Sequence, residues 1–498
     1  RLVADISDPD GNPNTTTGDL HMAFAYKGRY KVSQTDPKGN LTTYEYDSFG
    51  QMITKTEDAG GLARITCYEY DRLGNLKKII ADDDNNPANG VQETLYTYDK
   101  AGRVIQITYP DNKTIAYEYQ DPAAAGRPTK RTDQRGIVTV YEYDKRGNLL
   151  KKQDHPTNPT IVETYTYDAR GLMLTAKKGT LADEDAISAI EFTYNDLGYL
   201  ESTTQQIKDN TAKTITYERN QVGRPIKITY PDISSTQYIY SYTSLGQVDM
   251  IQRSGTTLVD YGYAGAMVTS RLYPVANVTH TAHYDDYGRV ERLRTVNNGG
   301  AGVDFEYTYD ENGNILQQEY LHRPSQSIAN SFLYDGLNRL YQATYQAGTA
   351  GTETFDYDLL GNRDSVEDSR MGTTCSYGPN TAVNQYTSVC GTAVNYDDAG
   401  NLIRDHRGYG YIYDYENRLV QIYKDLNANG VYDEGSDVNL AVYVYDALGR
   451  RIEKADPQGN TAERYYYDDQ RVLLRTQVSG GVESDSRMFV FGNYMDEV

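Results

Sequence analysis

Oxygen-bearing side chains fall into two patterns in this sequence. The first occurs once. Asp425-Leu426-Asn427-Ala428-Asn429-Gly430-Val431-Tyr432-Asp433-Glu434 sets Asp, Asn, Asn and Asp at its first, third, fifth and ninth positions, with Gly at the sixth. Calcium gathers about six to eight oxygens, and alternate residues of a short loop aim their oxygens at one point while glycine makes the sharp turn. The position-seven ligand would be the Val431 carbonyl. Position twelve is Ser436, where an EF-hand has Glu, which leaves Asp437 to supply the final carboxylate. The flanks, Leu419 to Tyr423 and Leu440 to Tyr445, read as strands, so this is not a true EF-hand. Two readings stand at this point: a calcium loop, or the acidic tip of a hairpin.

The second pattern is Tyr44-Glu45-Tyr46-Asp47-Ser48-Phe49-Gly50, which returns as YEYDRLG at Tyr68, YEYDKRG at Tyr141, YTYDENG at Tyr307 and YVYDALG at Tyr443. Repeated carboxylates beside tyrosines suggest the paired acids of glycoside hydrolysis. Each Asp, however, has a sufficient structural role, because its side chain can bond the backbone two residues on, while Gly50 takes the left-handed conformation that closes a three-residue hairpin loop. The aromatic pair survives in copies that lose the Asp, such as Tyr240-Ser241-Tyr242. That is the behaviour of packing residues. No GxSxG, P-loop or HExxH occurs, and His280 and His283 fall on opposite faces of a strand, so no catalytic residue is assigned.

The elements that carry these patterns are strands. In Leu41 to Asp47 the residues alternate with period two, so Tyr44 and Tyr46 share a face and Glu45 points away. With the second aromatic as marker, the repeat falls at Tyr46, Tyr70, Tyr98, Tyr119, Tyr143, Tyr167, Tyr194, Tyr217, Tyr242, Tyr263, Tyr284, Tyr309, Tyr334, Tyr357, Tyr396, Tyr413, Tyr445 and Tyr467. The usual interval, about 21 to 28 residues, suits one hairpin with two turns. A second turn type, Asp36-Pro37-Lys38-Gly39-Asn40 and Asp456-Pro457-Gln458-Gly459-Asn460, joins repeats, and Asp8 to Asn12 looks like the same device. The period is broken by insertions at 81–91, 370–394 and 424–439. A looser acidic cluster, Asp82, Asp83, Asp84, Asn86 and Asn89, lies in the first and reads as a solvated loop; Asp183 to Ile190 is compatible with a short helix. The chain is therefore expected to be one continuous all-β array over residues 1–498, opening in mid-repeat as a piece of something longer.

Composition narrows the function. Forty-nine tyrosines, 8 Phe and no Trp must supply most of the aromatic burial, which suits a broad sheet with a damp face. A net charge of −21 opposes nucleic-acid and anionic-membrane partners, and no apolar run is long enough to insert into a membrane. Of three cysteines, Cys67 reads as a small packed residue. Cys375 and Cys390 bracket the longest gap between repeats, and a bridge between them would close a loop worth about 3 kcal/mol and imply an oxidising compartment.

With its repeated YxYDxxGN/R pattern, the chain resembles the YD-repeat (RHS-repeat) family, which includes bacterial Rhs proteins, the C components of insecticidal toxin complexes and the extracellular part of teneurins. Asn384 to Val389 followed by Asn395-Tyr396-Asp397-Asp398-Ala399-Gly400-Asn401-Leu402 resembles the family's late repeats, as does Tyr413 to Leu419; Val490 to Val498 resembles the segment that precedes its core. The resemblance implies a β-hairpin strip spiralling into a large hollow shell around a C-terminal effector. The core's DPxG signature is not in this sequence, so no autoproteolytic residue carries over. The expected function is structural: the shell of a secreted or cell-surface protein whose partner is its own C-terminal effector, a toxin, with calcium as the one candidate cofactor. The alternative is an extracellular adhesion or carbohydrate-binding array whose partners are glycans or cell-surface proteins.

Overall fold

Period-two alternation produces strands throughout. In the computed structural model, which describes residues 2–7, 20–81, 92–124, 126–180, 182–183, 186–208, 210–297, 300–323, 328–346 and 348–492, the chain is antiparallel β-structure. The strand Leu41–Tyr46 pairs with Met52–Glu57, that strand with Arg64–Tyr70, and that in turn with Leu76–Ala81. Tyr44 and Tyr46 are half-buried while Glu45 is exposed, as the alternation requires. Among the described residues the one helical element is a single 3-10 turn at Pro122–Ala124, and no helix is long and apolar enough to cross a membrane.

The chain reads as one array in sequence, and it folds into two compact units, each built from two separate segments: residues 1–113 with 261–393, and residues 114–260 with 394–498. In the first unit the hairpins are largely half-buried, with Val268, Ala282, Ile328 and Ala343 among the few fully packed apolar residues. Its two segments meet through turn residues: Lys38 pairs with Asp310 at 3.0 Å, and Asn312 Nδ2 donates to Asp36 Oδ2 at 2.7 Å.

The second unit has a denser core. Its later segment is a nine-stranded meander from Asn395–Tyr396 to Val482–Met488. Ile452, Tyr465, Tyr466, Tyr467 and Leu474 of that meander pack on Ile207 of the earlier segment, and Ala447 packs on Tyr165, Ala176 and Ile190. Phenol hydroxyls find partners as they are buried: Tyr165 donates to the Ala447 carbonyl at 2.7 Å, Tyr217 to Asp468 Oδ1 at 2.7 Å and Tyr230 to the Phe489 carbonyl at 2.7 Å.

Three sequence expectations are corrected. The compatible helix at Asp183 to Ile190 is not formed: Ser188–Tyr194 is a strand, bonded through Lys178 on one side and Ile207 on the other, with Ile190 fully buried. Two flanking strands satisfy backbone groups that an isolated short helix would leave to water. Tyr217 is not a second aromatic. The ladder shifts register between Glu218 and Arg219, where other copies shift just before their second Tyr, so Arg219 holds that place and Tyr217 is the first aromatic. The two Asp-Pro segments are also not one turn type, as described below. Asp8 to Asn12 and the cluster from Asp82 to Asn89 lie outside the described residues.

Candidate functional site: the repeated turn and the acidic loop

Each Asp of the repeat organises its own turn. Asp71 Oδ1 accepts the N–H groups of Leu73 at 2.8 Å and Asn75 at 2.9 Å, and its Oδ2 accepts Asn75 Nδ2 at 2.9 Å. The Gly74 N–H donates to the Asp71 carbonyl at 3.1 Å, with Gly74 at φ +89°. Here glycine is required by conformation. Asp47, Asp99, Asp144 and Asp168 repeat the two N–H contacts. The same closure occurs at Asp36, where Gly39 has φ +90°, so this Asp-Pro segment is a further copy of the repeat turn; at Asp456 the positive φ moves to Asn460. Where the Asp is replaced, Asn195, Asn220 and Thr243 still accept the closing N–H through a side-chain oxygen. These carboxylates are spent on backbone donors, which accounts for their repetition without catalysis.

The second Tyr reaches backwards. Tyr46 donates its hydroxyl to the Lys31 carbonyl at 2.8 Å, Tyr70 to Met52 at 2.9 Å, Tyr98 to Leu76 at 2.6 Å, Tyr167 to Leu149 at 3.0 Å, Tyr309 to Val290 at 2.6 Å and Tyr445 to Leu419 at 2.8 Å. Every acceptor is on the preceding hairpin. Arg219, standing in this place, sends Nε to the Leu200 carbonyl at 2.8 Å. The residue after the turn glycine reaches forwards when it is Arg: Arg289 Nε holds Asp285 at 2.6 Å, its Nη1 donates to the Asp310 carbonyl at 3.0 Å, and its guanidinium lies 4.7 Å over the Tyr309 ring. Arg450 does the same towards Asp469 and Tyr467. Sequence reasoning missed this stapling, although a signal was present. Phe occupies the first aromatic place at Phe192, Phe332 and Phe355 but none of the second places, where the hydroxyl is used.

Glu163 was also missed. It is completely buried, 2.6 Å from Lys152 Nζ and 3.4 Å from Lys178 Nζ, and accepts the hydroxyls of Tyr165 and Tyr415 at 3.0 Å each. Burial first, then the neighbouring Arg418, pushes the Lys178 pKa down, while Glu163 opposes that shift. Tyr415 lies 252 positions from Glu163, so no local pattern announces the cluster.

The acidic loop joins the strands Leu419–Lys424 and Val438–Tyr445, as expected for a hairpin connection. Asp425 is buried. Its Oδ2 accepts Arg404 Nε at 2.7 Å and the Gly430 N–H at 3.1 Å, and its Oδ1 has no hydrogen-bond partner. Burial opposes its charge, yet the Gly430 N–H and Arg404 hold its carboxyl below the usual range. Asn427 and Asn429 send their Nδ2 groups to Asp433 Oδ2 at 2.6 and 2.7 Å. Their Oδ1 atoms accept the N–H groups of Asn429 and Val431. Asp437 closes the loop, Oδ1 accepting the Leu426 N–H and Oδ2 the Asp433 N–H, both at 2.9 Å. The Tyr432 ring stands edge-on to buried Tyr423 at 5.3 Å. The carboxylates themselves do not converge: among the described residues no group of three or more His, Cys, Asp or Glu side chains is placed to hold a metal ion.

In the other insertion, Cys375 and Cys390 are paired as a disulfide, with Cα atoms 4.4 Å apart, and Cys67 is unpaired in the strand Arg64–Tyr70. His280 packs edge-on against Tyr273 while His283 is exposed, on the opposite faces that alternation assigns them.

This geometry agrees with the comparisons. The Teneurin YD-shell profile matches residues 43–183 and 266–480. The unmatched interval contains the copies in which Asn195, Asn220 and Thr243 replace Asp. The chain is 24% identical over 490 residues to double-stranded DNA deaminase toxin A of Burkholderia cenocepacia (strain H111), covering 85% of this chain and 30% of that protein. It is 22% identical over 466 residues to Teneurin-m of Drosophila melanogaster, covering 89% of this chain and 15% of that protein. In fold it is similar to the crystal structure of TcdB2-TccC3, with a TM-score of 0.71, 16% identity, and coverage of 94% of this chain and 28% of that one. The chain thus spans less than a third of each of these relatives. Because that profile matches more than half of its length, this chain is a member of the Teneurin YD-shell family.

Proposed function

We propose that this chain is the shell-building part of a secreted or surface-displayed polypeptide, and that the strip it forms encloses an effector domain carried C-terminally on the same polypeptide. The observation that carries this reading is the hairpin-to-hairpin staple of Tyr hydroxyl and Arg guanidinium, which spends the polar groups of the repeat on tying each hairpin to the next. Two similarities support it: to a protein named as a DNA deaminase toxin, and in fold to TcdB2-TccC3. The pairing of Cys375 with Cys390 supports an oxidising compartment.

Limited proteolysis of the whole polypeptide tests the proposal. The region C-terminal to this chain is expected to resist protease while the repeats are folded, and to be cut once urea opens them. Cleavage of that region in the native protein at the rate of the isolated region would refute enclosure.

A further inference from the structure

We infer that the loop from Asp425 to Asp437 is a calcium-binding site. Two independent observations meet there. One is the spacing of oxygen side chains at alternate positions around Gly430. The other is the state of Asp425, whose side chain is wholly buried and presents one carboxylate oxygen, Oδ1, without a hydrogen-bond partner. A buried carboxylate oxygen left without a partner costs about 1–3 kcal/mol or more, and a cation satisfies it without removing its charge.

Its orientation is fixed by the other oxygen. The Gly430 N–H and Arg404 both hold Oδ2, which leaves Oδ1 as the oxygen available to an ion. Further along the loop Asn427 and Asn429 gather on Asp433, the two amides lying 2.6 and 2.7 Å from Asp433 Oδ2. Turning each carboxamide by half a rotation exchanges its oxygen and nitrogen with almost no change of outline, at the cost of the Asn429 and Val431 N–H bonds that the two Oδ1 atoms now accept. The two Asn then offer oxygens beside the Asp433 carboxylate in place of N–H donors. With the Val431 carbonyl these make five oxygen ligands; Asp437, whose two oxygens hold the Leu426 and Asp433 N–H groups, closes the loop around them, and water completes the shell. The donor set is mixed carboxylate, amide and carbonyl oxygen, which suits calcium. Magnesium demands a tighter octahedron and is disfavoured. Arg404, the cation already paired with Asp425, places the site in the weak range of extracellular modules, with Kd about 0.1–1 mM.

The loop lies at the opposite end of its two strands from the Tyr445-to-Leu419 staple, and the assignment does not depend on enclosure of an effector. Calorimetric titration of the chelator-treated chain with calcium chloride is the test, with magnesium chloride as comparison and Asn427→Ala/Asn429→Ala as the variant, since both residues are exposed. Saturable calcium binding that the double variant weakens at least tenfold, with no matching magnesium isotherm, is the expected result. Asp425→Ala should abolish it, and the Asn variant keeps the test open should Asp425→Ala fail to fold with Arg404 unpaired. Absence of saturable binding at about ten times the upper Kd, or equal affinity in wild type and the Asn variant, would overturn the assignment.

Discussion

Replacing Glu163 by Ala exposes how the second unit is held together. The side chain is fully buried and compensates Lys178, itself 5% exposed, and Lys152. Removing one member of a buried ion pair costs about 3–5 kcal/mol, because the remaining charge is left in a poorly solvated site. Two hydroxyls lose an acceptor as well. Tyr165 retains the Ala447 carbonyl, so the hydroxyl left without its partner is that of Tyr415. These effects share one cavity and do not add, so the expected loss is about 4 kcal/mol in urea unfolding. Glu163→Gln keeps the outline and an acceptor oxygen and should lose about half as much. The sign of its pH dependence follows from Lys178. Its folded pKa is depressed, so between that value and its ordinary one the unfolded chain binds more protons, and stability in Glu163→Gln should rise as pH increases through that interval. Combining Glu163→Leu with Lys178→Met removes both charges and should recover much of the loss. A cost below about 1 kcal/mol for Glu163→Ala would show that the cluster is solvated in solution, and the argument from burial would be wrong.

Other consequences can be measured on the same protein. Burial first, then nearby carboxylates, holds the hydroxyls of Tyr165, Tyr217, Tyr415 and Tyr466 well above the ordinary tyrosine range. Their stabilisation is complete below the unfolded value near pH 10 and is lost above it, at about 1.4 kcal/mol per tyrosine by about pH 11; a urea midpoint unchanged between about pH 9 and pH 11 would contradict this. Tyr98→Phe removes the 2.6 Å bond to Leu76 and should cost about 1 kcal/mol, with faster amide exchange confined to neighbouring hairpins. Exchange that quickens evenly along the chain would refute the staple as a local device. Thiol titration of the unfolded, unreduced protein should find Cys67 alone, and Cys375→Ser should cost about 3 kcal/mol; detection of all three thiols before reduction would remove the bridge.

What was legible in the sequence was whatever is local. Alternation around Tyr44 and Tyr46 gave the strands, and Asp47 with Gly50 gave the turn, because each interaction closes within a few residues. Tyr217 was misplaced because Arg219 does the bonding of a tyrosine hydroxyl with different chemistry, so the aromatic marker slipped to the wrong residue. The Ser188 strand was hidden for a related reason: its stability comes from two neighbouring strands, while the residues themselves tolerate a helix. Glu163, Lys178 and Tyr415 were illegible, since their meeting depends on how two distant segments of one unit pack. In the acidic loop the spacing of the oxygens was visible; the capture of one Asp425 oxygen by Arg404 and Gly430, which leaves the other unpartnered, was not.

The two ends of most hairpins live under different rules, although Asp36, Asp133 and Asp405 carry the same closure at the opposite end. At the Asp turn, three loop residues, a bonded carboxylate and a glycine at positive φ leave no room for length to change. The tyrosine and arginine that tie one hairpin to the next lie beside that end. At the opposite end the connections run from Ser254-Gly255, between Val248–Arg253 and Thr256–Ala264, to the long acidic loop between Leu419–Lys424 and Val438–Tyr445, and none of these has to match its neighbours. Such a ribbon can acquire new sequence along one margin without renegotiating the other. Novel binding properties, whether for an ion or a larger partner, are therefore free to accumulate on that margin while the paired strands stay the same.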